Sequence, residues 1–127
     1  MATLNEIYKC EICGNVIEVI EAHEGTLVCC GKDMILQIAK TKKHEGNEKH
    51  VPILTIDKNI ISVKVGSIPH PMTEKHFIEL IEIVQNGKVI ASKRLSPLEK
   101  PEAKFYLSNA IKLTARAYCN IHFLWIS

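Results

Sequence analysis

The sequence predicts a mainly β protein in two parts: a small metal-stapled knuckle, then an antiparallel β-sandwich or barrel. Three observations predict it. Four of the five cysteines fall within the first 30 of 127 residues. Beyond residue 48, apolar residues recur mostly with period two, in short runs parted by turn residues. No long amphipathic helical stripe is present. The length suits one medium domain or two small ones, and we place the division at residues 1–39 and 40–127.

The knuckle runs from Tyr8 to Met34. It contains Cys10-Glu11-Ile12-Cys13-Gly14, the β-prone run Val16 to Ile20, and Gly25-Thr26-Leu27-Val28-Cys29-Cys30-Gly31-Lys32. A piece this short buries too little apolar surface to fold unaided, and bound metal supplies the missing free energy. Residues 40–48 turn polar and read as a linker or exposed loop. Pro52–Ile56 and Ile60–Val65 then read as strands parted by Asp57-Lys58-Asn59. Phe77–Val84 and Lys88–Ala91 flank Gln85-Asn86-Gly87, and Asn-Gly favours a type I′ hairpin because both positions take positive φ. Ile111–Tyr118 alternates again. Several short strands with frequent turns imply antiparallel sheets.

Composition excludes several function classes. The chain has no low-complexity tract and no apolar run near the roughly 20 residues that a membrane span needs. No basic leader followed by an apolar segment opens the sequence, which points to the cytoplasm. Thiols stay reduced there, so metal ligation suits the cysteines better than a disulfide framework. Residues 1–39 carry two lysines against six acids, and residues 40–127 carry fourteen basic side chains against eight acids. The cationic second part suggests anion attraction, while charge alone fits an ordinary solvated surface better, and without a lysine stripe interleaved with aromatics it does not read as a nucleic-acid surface.

Cys10-x-x-Cys13 and Cys29-Cys30 offer four thiolates. A C-x-x-C turn aims two sulfurs at one ion, and a soft tetrahedral set suits zinc or a single iron equally. Adjacent cysteines cannot both point ideally at one centre, so distorted angles are expected. A redox dithiol fits less well, because the second pair stands ready as further ligands.

A second constellation is spread along the strand-rich part. Glu48-Lys49-His50-Val51-Pro52, His70-Pro71-Met72, Glu74-Lys75-His76 and Cys119-Asn120-Ile121-His122 place four of six histidines in compact polar motifs beside strands. His23 and His44 read as ordinary surface residues. The cysteine three residues before His122 can chelate the same metal as that histidine.

The order C-x-x-C-G, C-C-G, E-K-H-V-P, H-P-M-x-E-K-H, Y-C-N-x-H resembles the desulfoferrodoxins, the two-iron superoxide reductases, over nearly the whole chain. The resemblance implies a desulforedoxin-like domain in residues 1–39 and a seven-stranded immunoglobulin-like β domain in residues 40–127. It implies iron on Cys10, Cys13, Cys29 and Cys30. It implies a second iron with His50, His70, His76 and His122 equatorial and Cys119 axial, leaving the position opposite the sulfur open. Glu48 and Lys49 match the family's functional pair beside that iron. Phe77 and Phe123 depart from the family's usual tryptophan and glycine, and phenylalanine avoids φ values that glycine accepts.

The implied activity is one-electron reduction of superoxide to hydrogen peroxide. An external donor such as rubredoxin restores the ferrous state, and a homodimer is the implied assembly. Sulfur ligation makes the iron electron-rich, and backbone N–H groups of Ile121 and His122 are expected on the Cys119 sulfur. Lys49 would attract superoxide as a fixed positive charge, and Glu48 would help expel peroxide. Two other classes fit parts of the sequence. A zinc-stabilised binding module would be colourless. A rubredoxin-like electron carrier would leave the histidines and Cys119 without a task.

Overall fold

The computed structural model describes residues 2–127. The chain is mainly β and divides into one compact unit ending at Ile38 and a second spanning Ala39–Ser127.

In the first unit, β1 (Ile7–Lys9) lies between β2 (Val16–Glu18) and β5 (Ile35–Leu36), antiparallel to both. A two-stranded ladder joins β3 (Val28–Cys29) to β4 (Lys32–Asp33). Its buried apolar residues are few, chiefly Ile7, Cys10 and Val19.

In the second unit, β6 (Pro52–Asp57), β7 (Ile60–Val65) and β10 (Glu102–Tyr106) form an antiparallel sheet in the order β10-β7-β6. A second antiparallel sheet, in the order β12-β11-β8-β9, comprises β8 (Ile78–Gln85), β9 (Lys88–Arg94), β11 (Leu113–Cys119) and β12 (Phe123–Ile126). Ile61, Val63 and Val65 of β7 meet Ile81 and Ile83 of β8 and Ala115 and Ala117 of β11 in one core. Period two puts alternate residues on one face. The row Ala115, Ala117, Cys119 therefore carries the Cys119 sulfur to the end of that core, where it is fully buried.

The expected hairpins are present. Asn86 and Gly87 take φ of 52° and 74°, as a type I′ turn requires, and Lys58 turns β6 into β7 at φ 57°. Strands β10 and β12 were not legible from periodicity. In β10 only Ala103 and Phe105 face inward, between the exposed Glu102, Lys104 and Tyr106, and alanine is a poor strand former. β12 is a short apolar run. Within the polar stretch 40–48, Lys40 bridges to Trp125, and a single helical turn, α1 (Asn47–His50), carries Glu48, Lys49 and His50. Among the described residues no helix is long and apolar enough to cross a membrane.

Candidate metal centres

The sulfurs of Cys10, Cys13, Cys29 and Cys30 all lie within 4.8 Å of one another. Cys13 and Cys29 stand 3.6 Å apart, and Cys29 and Cys30 4.0 Å. A metal–sulfur bond of about 2.3 Å gives tetrahedral edges of roughly 3.8 Å, so the four sulfurs already approximate a metal-binding shell. Neighbours in a strand point to opposite sides. Cys30 escapes that alternation by taking φ of 54° just beyond β3.

The backbone N–H of Cys13 donates to the Cys10 sulfur at 3.5 Å, and that of Asn15 to the Cys13 sulfur at 3.5 Å. The Cys13 amide is the main reason the Cys10 thiol is pulled down to about 6. Cys29 is pushed up to about 12, first by the Cys13 thiol beside it. Four thiols this close cannot all ionise alone. A cation among them resolves the conflict, which is the donor chemistry of a metal site.

The second centre is built by loops at one end of the second unit. His50 closes α1, His70 and His76 lie between β7 and β8, and Cys119 and His122 flank the turn from β11 to β12. The imidazoles form a ring. Centroid separations run 4.7 Å from His50 to His70, 4.8 Å to His76, 5.0 Å to His122 and 4.7 Å back to His50. The His50–His76 separation across the ring is 6.3 Å, near the diagonal of a square. Ligand atoms of His50, His76, Cys119 and His122 lie mutually within 4.8 Å. His70, opposite His122 in the ring, falls outside that group but holds its Nε2 3.2 Å from His50 Nε2.

The hydrogen-bond pattern suits the ring to a metal ion. His50 Nδ1–H donates to the Gly46 carbonyl at 2.8 Å, and His70 Nδ1–H to the Pro71 carbonyl at 2.7 Å. A carbonyl only accepts, so each neutral ring turns a bare Nε2 lone pair inward. Those lone pairs are 3.2 Å apart, and His122 Nδ1 lies 3.1 Å from His50 Nε2. His76 Nε2 is buried with no hydrogen-bond partner. Inward lone pairs repel one another, and an unpartnered buried nitrogen is costly. A metal ion satisfies both. Burial lowers the basicity of His50 and His76 and holds His70 down at about 4, which keeps these rings in the neutral, metal-binding form.

Burial pushes the Cys119 thiol up, and the N–H of His122, 3.4 Å from the sulfur, together with that of Ile121, opposes the rise. Glu48 and Lys49 are exposed on α1, immediately before buried His50, and the Lys49 charge is felt at His76. His23 contacts Glu21 at the surface, and His44 accepts from the Thr41 N–H.

Several residues that shape the centre were not singled out from the sequence. Trp125 stacks on His50, with centroids 4.7 Å apart at 20°, and donates its indole N–H to the His122 carbonyl at 3.0 Å. Gly66 sits against the backbone of Glu48 and Lys49. Asn120 clamps the His76 loop: its Oδ1 accepts from the Phe77 N–H at 3.0 Å, and its Nδ2 donates to the Lys75 carbonyl at 3.0 Å. Each role depends on a partner 43 or more residues away for Asn120 and on tertiary approach for the others, so no local pattern reveals it. Asn120→Ala is expected to cost about 1–3 kcal/mol and to weaken iron retention at this centre. Urea unfolding and metal analysis check this.

Comparison with known proteins agrees with this geometry. The desulfoferrodoxin family model matches residues 41–127, and the model of the desulfoferrodoxin N-terminal domain matches residues 2–37. The chain belongs to the desulfoferrodoxin family. A desulfoferrodoxin from Syntrophotalea carbinolica is 50% identical over 127 residues, covering 100% of this chain and 98% of that protein. A superoxide reductase from Thermococcus kodakarensis is 36% identical over 109 residues, covering 72% of this chain and 94% of that protein. The crystal structure of the superoxide reductase from Treponema pallidum shares the fold, with TM-score 0.75 and 22% identity over 96% of this chain and 95% of that one. Family membership settles the choice that four thiolates alone leave open. The donor sets of this desulfoferrodoxin fit two mononuclear irons, one bound by thiolates and one by imidazoles and a thiolate.

Proposed function

We propose that this chain is a superoxide reductase, reducing superoxide to hydrogen peroxide with one electron and two protons. The observation that carries the reading is the ring of imidazoles whose bare nitrogens converge beside the buried Cys119 sulfur. The name of the Thermococcus kodakarensis relative supports it. In this reading His50, His70, His76, His122 and Cys119 hold the catalytic iron, and Cys10, Cys13, Cys29 and Cys30 hold the other. Ferrous iron held by these five donors would supply the electron.

The protein's own groups do the rest. Lys49, exposed and charged beside the ring, raises the local concentration of the anionic substrate. Glu48 offers a carboxylate at the same rim, helping to expel peroxide. The His122 and Ile121 amides steady the thiolate. Residues 1–39 form the thiolate–iron domain and residues 40–127 the catalytic domain. A small carrier such as rubredoxin returns the electron, and cysteines that form no disulfide suit the cytoplasm. A homodimer is supported by the exposed Ile12, Ile20, Val28 and Ile38 of the first unit.

The test is to mix reduced protein with superoxide and measure products alongside metal content and visible spectrum. Two irons per chain, thiolate-to-iron colour and peroxide formed without dioxygen are expected. Colourless zinc protein, or dioxygen release as in dismutation, overturns the reading. Lys49→Ala is expected to slow the encounter several-fold and to flatten its dependence on ionic strength, as measured by stopped flow across a salt series.

A further inference from the structure

Lys40 opens the polar stretch 40–48 and has no part in the mechanism above, yet its backbone is fixed. Its N–H donates to the Leu124 carbonyl at 2.9 Å, and its carbonyl accepts from the Ile126 N–H at 2.9 Å. The side chain is part-buried. Its Nζ lies 5.4 Å from the Trp125 ring centroid, 5.8 Å from that of Phe123 and 3.4 Å from the His122 carbonyl oxygen. The indole N–H of Trp125 reaches the same oxygen at 3.0 Å, and the Trp125 ring stacks on His50. One ammonium therefore touches the backbone of one histidine of the ring and the aromatic partner of another. Cations over aromatic faces are held electrostatically.

We propose that Lys40 is a positioning residue for the second centre, bracing the His122 carbonyl and holding a fixed positive charge beside the imidazole ring that favours ferrous over ferric iron. The inference rests on the reading of that site as an iron centre. Removing a cation stabilises the more positive oxidation state, so loss of Lys40 lowers the reduction potential.

The test is a spectroelectrochemical titration of the full two-iron chain, following the thiolate-to-iron band of the second centre with the first as internal reference. Lys40→Met is expected to raise the ferric-to-ferrous ratio at fixed potential by at least about threefold, tenfold being 59 mV for one electron. Lys40→Arg is expected to restore the original value. Lys40→Gln retains a donor without charge, and it should fall with Lys40→Met. It also carries the test if the methionine variant folds poorly. An unmoved potential in iron-loaded Lys40→Gln overturns the proposal, because it leaves the charge without a role. Absence of iron from this site in the unsubstituted chain would instead sink the reading beneath it.

Discussion

Gly66→Ala is expected to abolish iron binding at the imidazole centre while leaving the thiolate centre intact. Gly66 follows β7 at φ 88°, a conformation that costs a residue with a Cβ about 1–2 kcal/mol. Sterics add more. A Cβ there would collide with the Ile68 carbonyl oxygen and stand 2.8 Å from both the Glu48 oxygen and the Lys49 carbonyl carbon. All three are backbone atoms, so no side chain can swing away. The same strip is stitched to α1 by hydrogen bonds from Gly66 to Val51 at 3.1 Å and from Ile68 to Glu48 at 2.9 Å. Relieving the clash must displace α1, and with it His50, whose Nε2 stands about 3 Å from two other ligand nitrogens. A destabilisation of about 3 kcal/mol or more is expected, with loss of the second centre's visible band. Ser67→Ala is the control. It removes only the exposed hydroxyl donating to the Glu48 carbonyl at 3.2 Å and should change stability by about 0.5 kcal/mol or less. Normal iron content and colour in Gly66→Ala would refute the argument.

The contrast between Gly66 and Cys119 shows which parts of the molecule are legible in the sequence. Candidate ligands announce themselves because metal chemistry restricts both residue type and local spacing, so Cys10-x-x-Cys13 and Cys119-x-x-His122 stand out before any fold is known. The hairpin at Asn86-Gly87 is legible for a similar reason, its φ values being accessible to few residues. Gly66, Trp125 and Asn120 act on backbone or rings brought near only by tertiary folding, and no local pattern marks them. Phe123 lies between these cases. Its side chain disfavours positive φ, yet it adopts 68°. That cost, about 1–2 kcal/mol for a left-handed residue, is borne where β12 must start directly after His122, with Cys119 paired to Phe123. The chain pays it to keep ligand and strand in register. Strand β10 is not legible because its inward residues include the small Ala103, whereas the isoleucine and valine runs of β7 and β8 are plain.

Cys10→Ser is expected to unfold the first unit and leave the second standing. Ile7 and Val19 are the buried aliphatic side chains of that unit, and each contributes about 1.5–3 kcal/mol. Fixing each residue's backbone costs about 1–2 kcal/mol, so this apolar core cannot hold strands of two or three residues. Metal binding must close the gap, and comparable structural sites supply on the order of 10 kcal/mol. Cys10 is the most buried of the four thiols and the one its surroundings most favour as thiolate. Its loss leaves three ligands, and serine is a poor donor to a thiolate-type site. Hydrogen exchange should show protection vanishing from β1, β2 and β5 while β7, β8 and β11 keep theirs, since their core of isoleucine, valine and alanine needs no metal. Stripping iron from the unsubstituted chain with a chelator should produce the same pattern in the first unit. Retained protection over β1 in either experiment would mean that the thiolate centre is not what folds this unit, and that its iron serves electron transfer alone.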